Sequence, residues 1–314
     1  MPVNRIQRLE SEIAMNRAVG IVGLGIMGGA IARNLVERGW SVIGFDVDPE
    51  RCGELADAKV SIAPDVGALT RAAPVILTSL PGPAAAEQVG HEIAQCGQPS
   101  RIVAELSTLS LADKLHFKAI LLQAGHIALD CPLSGTGAQA RVRDLVVYAS
   151  GDGEAIAKCM PLFGDFAKQS ADLGKYGNGS RMKFIANHLV AINNVATAEA
   201  MILAQRGGLD LKMVLAMIAP GAGGSRMFKL RAPMMVNGSY EPATMKVSTW
   251  QKDMAIIAEF ADEVGCRTPL FLATEPVYAQ AMAMGLGNQD TASVFEVLKQ
   301  SNIKAPKSDQ QAEE

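Results

Sequence analysis

The sequence predicts an α/β fold: an N-terminal doubly wound parallel sheet followed by an all-α C-terminal half. Three observations predict it. Short apolar runs alternate with helix-period stretches through the first half, the pattern of parallel strands joined by crossover helices. Gly23-Leu24-Gly25-Ile26-Met27-Gly28 stands between the first such run and the first helical stretch. Beyond Gly177 the strand signals stop, and a long helical stretch from Ser180 to Arg206 opens a helical remainder.

Val19-Gly20-Ile21-Val22 reads as the first strand, Ala30 to Val36 as the first helix, and Ser41 to Phe45 as a second strand ending at Asp46. Each glycine between strand and helix has its own task. Gly23 permits the tight turn, Gly25 lets the backbone approach a pyrophosphate, and Gly28 lets helix pack on strand. The helix N-terminus offers free N–H groups to the phosphates, and Ile26 and Met27 of the glycine stretch are expected to bind the cofactor with them. Asp46 lies about 20 residues beyond the glycines, where a carboxylate takes the adenosine ribose hydroxyls. The unit reads as a Rossmann-like dinucleotide site; the alternative is a glycine-rich turn that binds nothing. Asp46 repels a 2′-phosphate, Val47 follows where an arginine would accept one, and Arg51 is the nearby cation. NAD is therefore expected in preference to NADP.

Further strands are expected at Pro74–Ser79, before Leu80-Pro81-Gly82-Pro83, and at Ile102–Leu106, before Ser107-Thr108. Two more follow at Ile127–Asp130, before Pro132, and at Leu145–Ala149, closed by Gly151. Ligands of such sheets bind beyond the carboxyl ends of the strands, so the loops after Val22, Ser79, Leu106 and Asp130 are expected to share one crevice. Ser107-Thr108 also reads as a cap for the next helix. The stretch Ser180–Arg206 is apolar on nearly every face, which predicts a helix buried among others. Leu211–Ile218, Met245–Val264 and Pro269–Met284 read as further helices. The expected organisation is an N-terminal tail (1–16), a dinucleotide-binding domain (17–179), a helical domain (180–304) and a polar tail (305–314). Met15 is a second candidate start.

Composition excludes several classes. Of 314 residues, 49% are hydrophobic and 19% charged, and the net charge of -3 leaves no electrostatic footprint for nucleic acid. No apolar run approaches the ~20 residues that span a bilayer. Five cysteines and four histidines show no metal-ligand spacing. An odd cysteine count without a secretory signal points to reduced thiols in a cytoplasm.

Lys183 precedes Asn187 by four residues, so both share one helix face. Burial and a nearby positive nicotinamide would lower the lysine pKa, and such a lysine exchanges protons near neutrality. The other reading is a surface lysine snorkelling at a helix end. Asn187 suits a role holding lysine and substrate hydroxyl together, or that of a buried amide; His188 points away and reads as a core histidine. In Ser134-Gly135-Thr136-Gly137, the backbone N–H groups and the Ser134 hydroxyl suit a substrate carboxylate, or form an ordinary turn. Lys252-Asp253 reads equally as a solvated pair.

Together these stretches resemble the β-hydroxyacid dehydrogenase family, which includes 3-hydroxyisobutyrate dehydrogenase, tartronate semialdehyde reductase and, more distantly, 6-phosphogluconate dehydrogenase. The resemblance spans about residues 18 to 300. It rests on GLGIMGGAIARNLVERG (23–39), Ser79-Leu80-Pro81, Ser107-Thr108, Asp130 to Thr136, GNGSRMKFIAN (177–187) and KDMAIIAEFADEVGCRTP (252–269). It implies NAD or NADP bound in a Rossmann domain and a small 3-hydroxy acid interconverted with its semialdehyde or keto form. Lys183 would be the general acid/base. Ser134, Gly135, Thr136 and Asn187 would bind substrate. Leu80, Pro81 and Thr108 would line the cofactor, and Lys252 would sit at the closed cleft. It also implies a homodimer or homotetramer built through the helical domain. Gln139 and Arg143-Asp144 depart from the family's small, glycine-rich pattern, in a segment that would edge the substrate pocket. An imine reductase on the same fold, for which Lys183 is atypical, and a catalytically silent dinucleotide binder are the alternatives.

Overall fold

β1 (Ala18–Val22) leads through the glycine turn into α1 (Ile26–Glu37) and returns as β2 (Ser41–Phe45). The structure, a computed structural model, describes residues 17–98 and 100–301; the two expected tails and Met15 lie outside the described residues. The chain continues through α2 (Pro49–Ala56), β3 (Ser61–Ile62), α3 (Val66–Ala72), β4 (Val75–Thr78), α4 (Pro83–Gln95), β5 (Ile102–Glu105), α5 (Leu111–Gln123) and β6 (Ile127–Asp130). These strands form a parallel sheet in the order β3-β2-β1-β4-β5-β6. Strand alternation feeds two cores. Val19, Ile21, Val42, Leu77, Ile102 and Leu129 face one side, with Ile31 and Leu35 of α1. Val22, Ile76, Val103 and Ala128 face the other, with Val89, Ile93, Phe117 and Leu121 of α4 and α5. Burial on both faces explains why these strands read as continuous apolar runs.

β7 (Leu133–Ser134), α6 (Gly137–Arg141), β8 (Val146–Ala149), α7 (Gly153–Phe166) and β9 (Gln169–Asp172) follow. Here the structure corrects the sequence reading. The strand around Leu145–Ala149 does not extend the parallel sheet; it lies in a second, three-stranded sheet, antiparallel to β7 and parallel to β9. Pro132 ends β6 and no crossover helix intervenes before β7, so the chain cannot add a further parallel strand. β9, with the sequence Gln-Ser-Ala-Asp, is half-exposed and carries no apolar run by which to recognise it.

The remainder is helical: α8 (Asn178–Arg206), α9 (Leu211–Ile218), α10 (Arg226–Asn237), α11 (Val247–Glu263), α12 (Pro269–Ala283), a 3-10 turn (Thr291–Ser293) and α13 (Val294–Ser301). The chain divides into two compact units between Ala186 and Asn187, within α8. In the second unit Trp250 packs on Tyr278 with ring centroids 6.2 Å apart, and a buried Arg231–Asp290 ion pair fastens α10 to the chain ahead of the 3-10 turn. Asp290 also accepts from the Thr244 N–H at 2.8 Å. The expectation that α8 is buried all round is corrected. Met182, Ile185, Leu189 and Leu203 form a seam along it, and Leu203 is 75% exposed. An all-round apolar helix here serves one inner surface and leaves another open.

Candidate functional site

β1 ends in Gly23, whose φ of +92° and closeness to the Ser79 carbonyl exclude a side chain. A Cβ on Gly28 would strike the Gly23 carbonyl oxygen, so α1 can approach β1 only with glycine here. Gly25 is the N-cap of α1. A Cβ there would meet only the Arg51 guanidinium, at 3.4 Å. No side chain caps α1 and its first turn, with Ile26 and Met27, holds no acid, whereas α2, α3 and α5 are capped by Asp48, Asp65 and Ser110. An open glycine N-cap whose N–H groups attract no side-chain oxygen fits a dinucleotide pyrophosphate.

Asp46, at the end of β2, accepts from the Leu24 N–H at 2.7 Å and the Asp48 N–H at 2.9 Å. Its carboxylate also pairs with Arg51 at 3.5 Å, and Arg51 reaches Asp48 at 3.3 Å. The arginine charge beside the glycine turn is thus held by two carboxylates.

The loops after β4, β5 and β6 lie at the same edge of the parallel sheet as the glycine turn. The Leu80 N–H donates to Ser107 Oγ at 2.8 Å, tying the Leu80-Pro81 loop to the Ser107-Thr108 loop. Ser107 does not cap the next helix; Ser110 does, accepting from the Asp113 N–H at 3.1 Å. Thr108 is half-buried at this edge.

After β6, Ser134 ends β7 and Gly135 turns with φ +136°. Thr136 and Gln139 form a capping box at the start of α6, with the Thr136 N–H donating to Gln139 Oε1 at 3.0 Å. This narrows the expected carboxylate nest: the Thr136 N–H is committed within the chain, leaving the Ser134 hydroxyl and Gly135 as its core. Gln139 also donates to the Asp144 carbonyl at 3.3 Å, so the unusual Gln139–Asp144 stretch closes on itself. Thr136-x-x-Gln139 is a capping-box signature readable in the sequence.

Lys183 and Asn187 occupy successive turns of α8 and are 7% and 5% exposed. Asn187 Nδ2 donates to Asp253 Oδ2 at 3.0 Å. Asp253 is 4% exposed, with Lys252 Nζ at 3.5 Å; it is a buried acceptor for Asn187 rather than half of a solvated pair. His188 stacks on Phe271 with centroids 5.4 Å apart.

Sequence reasoning missed a buried charge cluster below these loops. Lys114 of α5 pairs with Glu105 of β5 and with Asp130 of β6, at 3.0 Å in the latter case, and all three side chains are fully buried. Burial alone would lower the Lys114 pKa; the two carboxylates outweigh it and hold the ammonium above the ordinary lysine range. Glu105 inside an otherwise apolar strand was the available signal, because a buried carboxylate requires a partner.

Two family models match the chain in succession: the NAD binding domain of 6-phosphogluconate dehydrogenase over residues 18–175, and the NAD-binding domain of NADP-dependent 3-hydroxyisobutyrate dehydrogenase over 177–298. Glyoxylate/succinic semialdehyde reductase 1 of Arabidopsis thaliana is 29% identical over 90% of this chain and 98% of its own length. L-threonate dehydrogenase of Cupriavidus necator is 29% identical over 90% and 96%. A crystal structure of 3-hydroxyisobutyrate dehydrogenase from Salmonella typhimurium superposes with a TM-score of 0.81 at 28% identity, covering 89% of this chain and 99% of that one.

Proposed function

The chain belongs to the family of 6-phosphogluconate and 3-hydroxyisobutyrate dehydrogenases, and on that premise we propose that it interconverts a small 3-hydroxy acid and its semialdehyde or keto form. It is an NAD(P)-dependent oxidoreductase. A nicotinamide dinucleotide, when bound, supplies the hydride acceptor or donor. Gly23, Gly25, Ile26, Met27 and Gly28 would hold its pyrophosphate, and Leu80, Pro81 and Thr108 its nicotinamide end. Asp46 would take the ribose hydroxyls, which favours NAD over NADP. Arg51 is the group that would otherwise greet a 2′-phosphate, and Asp46 and Asp48 engage it.

Lys183 takes the hydroxyl proton during oxidation and returns it during reduction. Ser134 and Gly135, with the Thr136 side chain, hold the substrate carboxylate. Asn187, itself held by Asp253, orients the hydroxyl, and Lys252 belongs with the cofactor-binding residues. The observation that carries this reading is the placing of Lys183 and Asn187 on one buried face of α8, immediately after Gly177–Ser180. Lys183 also weighs against imine reduction, the chemistry of more distant relatives of this fold. Assays of a 3-hydroxy acid panel and an amine panel with NAD and NADP test the reading. Lys183→Ala should abolish turnover of hydroxy acids while dinucleotide binding survives. Full activity in that variant, or activity on amines alone, would overturn it.

The exposed seam on α8 supports a homo-oligomer. Met182, Ile185 and Leu189 recur at helical spacing, the arrangement by which a second copy buries apolar surface. No helix among the described residues is long and apolar enough to cross a membrane. The free cysteines suit a reducing cytoplasm.

A further inference from the structure

Most helices here with a side-chain N-cap draw it from the residue just before them: Asp48, Asp65, Ser110, Asp152, Asp210 and Ser225. The start of α8 is held otherwise. Its Gly179 N–H donates to Ser150 Oγ at 2.9 Å, and its Ser180 N–H donates to Asp130 Oδ2 at 2.8 Å. The Ser180 hydroxyl adds a bond to Asp130 Oδ1 at 2.8 Å, and the Ser150 hydroxyl reaches Asp130 Oδ2 at 3.2 Å. With Lys114 on Oδ1, the Asp130 carboxylate is engaged on both oxygens. Gly179 itself leaves no space for a side chain. A Cβ there would collide with the Tyr148 carbonyl and lie 2.6 Å from that of Asp130.

The same cluster reaches the other way. Glu105, paired with Lys114, accepts from the Ser107 N–H at 2.9 Å, and Ser107 Oγ accepts from the Leu80 N–H at 2.8 Å. A continuous polar chain therefore runs Leu80–Ser107–Glu105–Lys114–Asp130–Ser180. It joins the loops after β4 and β5 to the first turn of α8. Lys183 lies four residues beyond Gly179, on the face that presses against Asp130 and Tyr148. Buried ion clusters add little to stability compared with apolar packing of equal volume, so stability gives a poor account of three fully buried charges at this place.

We propose that the Glu105–Lys114–Asp130 cluster, through Ser150 and Ser180, is a positioning device. It sets the start of α8, and hence Lys183, in register with the loops that receive the nicotinamide. The proposal rests on the reading of Lys183 as the general acid/base. Its physical basis is that proton and hydride transfer must be aligned together, and misplacement by about 1 Å can cost about 100-fold in rate.

Truncating Asp130 removes one of the two buried carboxylates that hold Lys114 and leaves it with Glu105 alone, which threatens the fold. Ser150→Ala and Ser180→Ala leave the three charges paired, and they are the informative variants. Each should lower kcat for 3-hydroxy acid oxidation by about tenfold. The dissociation constant for NADH, from fluorescence titration, should stay within about twofold, and circular dichroism should show a fully folded protein at the assay temperature. An unchanged kcat in both variants overturns the proposal, as does a fall in kcat matched by an equal loss of NADH affinity. Lys183→Ala in parallel separates the two ideas. Retained turnover there removes the general acid/base reading and the positioning proposal with it. Lost turnover there, with full kcat in both serine variants, removes the positioning proposal alone.

Discussion

Asp253 and Asp46 show how one carboxylate's surroundings set its task. Asp253 is buried and accepts from Asn187. Asp253→Asn replaces a charge-assisted bond, whose contribution is about 1.5–3 kcal/mol, so kcat/KM for the hydroxy acid should fall by about tenfold or more, measured by steady-state kinetics. Asp46 bonds the glycine turn and Arg51. Asp46→Asn keeps an acceptor for the Leu24 N–H, removes the charge and leaves Arg51 held by Asp48 alone, so the kcat/KM ratio of NADPH to NADH should rise. An unchanged ratio would show that Asp46 does not select the cofactor. The sequence revealed Asp46 through its spacing from the glycines. It left Asp253 ambiguous, because a Lys-Asp pair looks the same in sequence whether solvated or buried.

Among the elements, α6 and α8 carry the most information. The capping box of α6 consumes the Thr136 N–H. Gln139→Ala should cost about 1 kcal/mol of stability, read as a lower melting temperature. It should also change KM for the hydroxy acid by freeing a donor beside Ser134; a constant KM would place Gln139 outside substrate recognition. The strands of the parallel sheet were legible because burial on both faces leaves uninterrupted apolar runs. β9 and the short β7 were not, since pairing partners rather than apolar content define them. The long helix α8 was legible as a helix, but its exposed seam was not. Apolar residues that face a partner and those that face the core have the same periodicity.

For the whole molecule, two expectations follow. The seam on α8 predicts self-association, and Leu189→Glu should shift the assembly toward monomer in size-exclusion chromatography with light scattering. Alkaline pH should destabilise the fold. Burial pushes the Cys159 thiol from its ordinary 9.0 up to about 12; burial also raises Tyr278, and the Glu105–Asp130 pair holds Lys114 high. A group whose folded pKa is raised contributes its full stability below the unfolded value and loses it as pH climbs toward the folded one. The melting temperature should therefore be flat with respect to these groups near neutrality and fall between pH 9.0 and about 12. A melting temperature constant across that range would contradict the buried, neutral state of Cys159.

The sequence by itself determined the α/β order, the glycine turn with Asp46, and the shared helix face of Lys183 and Asn187, because these follow from local periodicity and fixed spacing along one strand or helix. Only the tertiary structure decided that Lys114, Glu105 and Asp130 meet, that Ser150 and Ser180 hold the start of α8, and that Asp253 supports Asn187. Those contacts join residues up to 66 positions apart. Their cause is the sheet order and the burial that forces every interior charge to find a partner, which no single stretch of sequence contains.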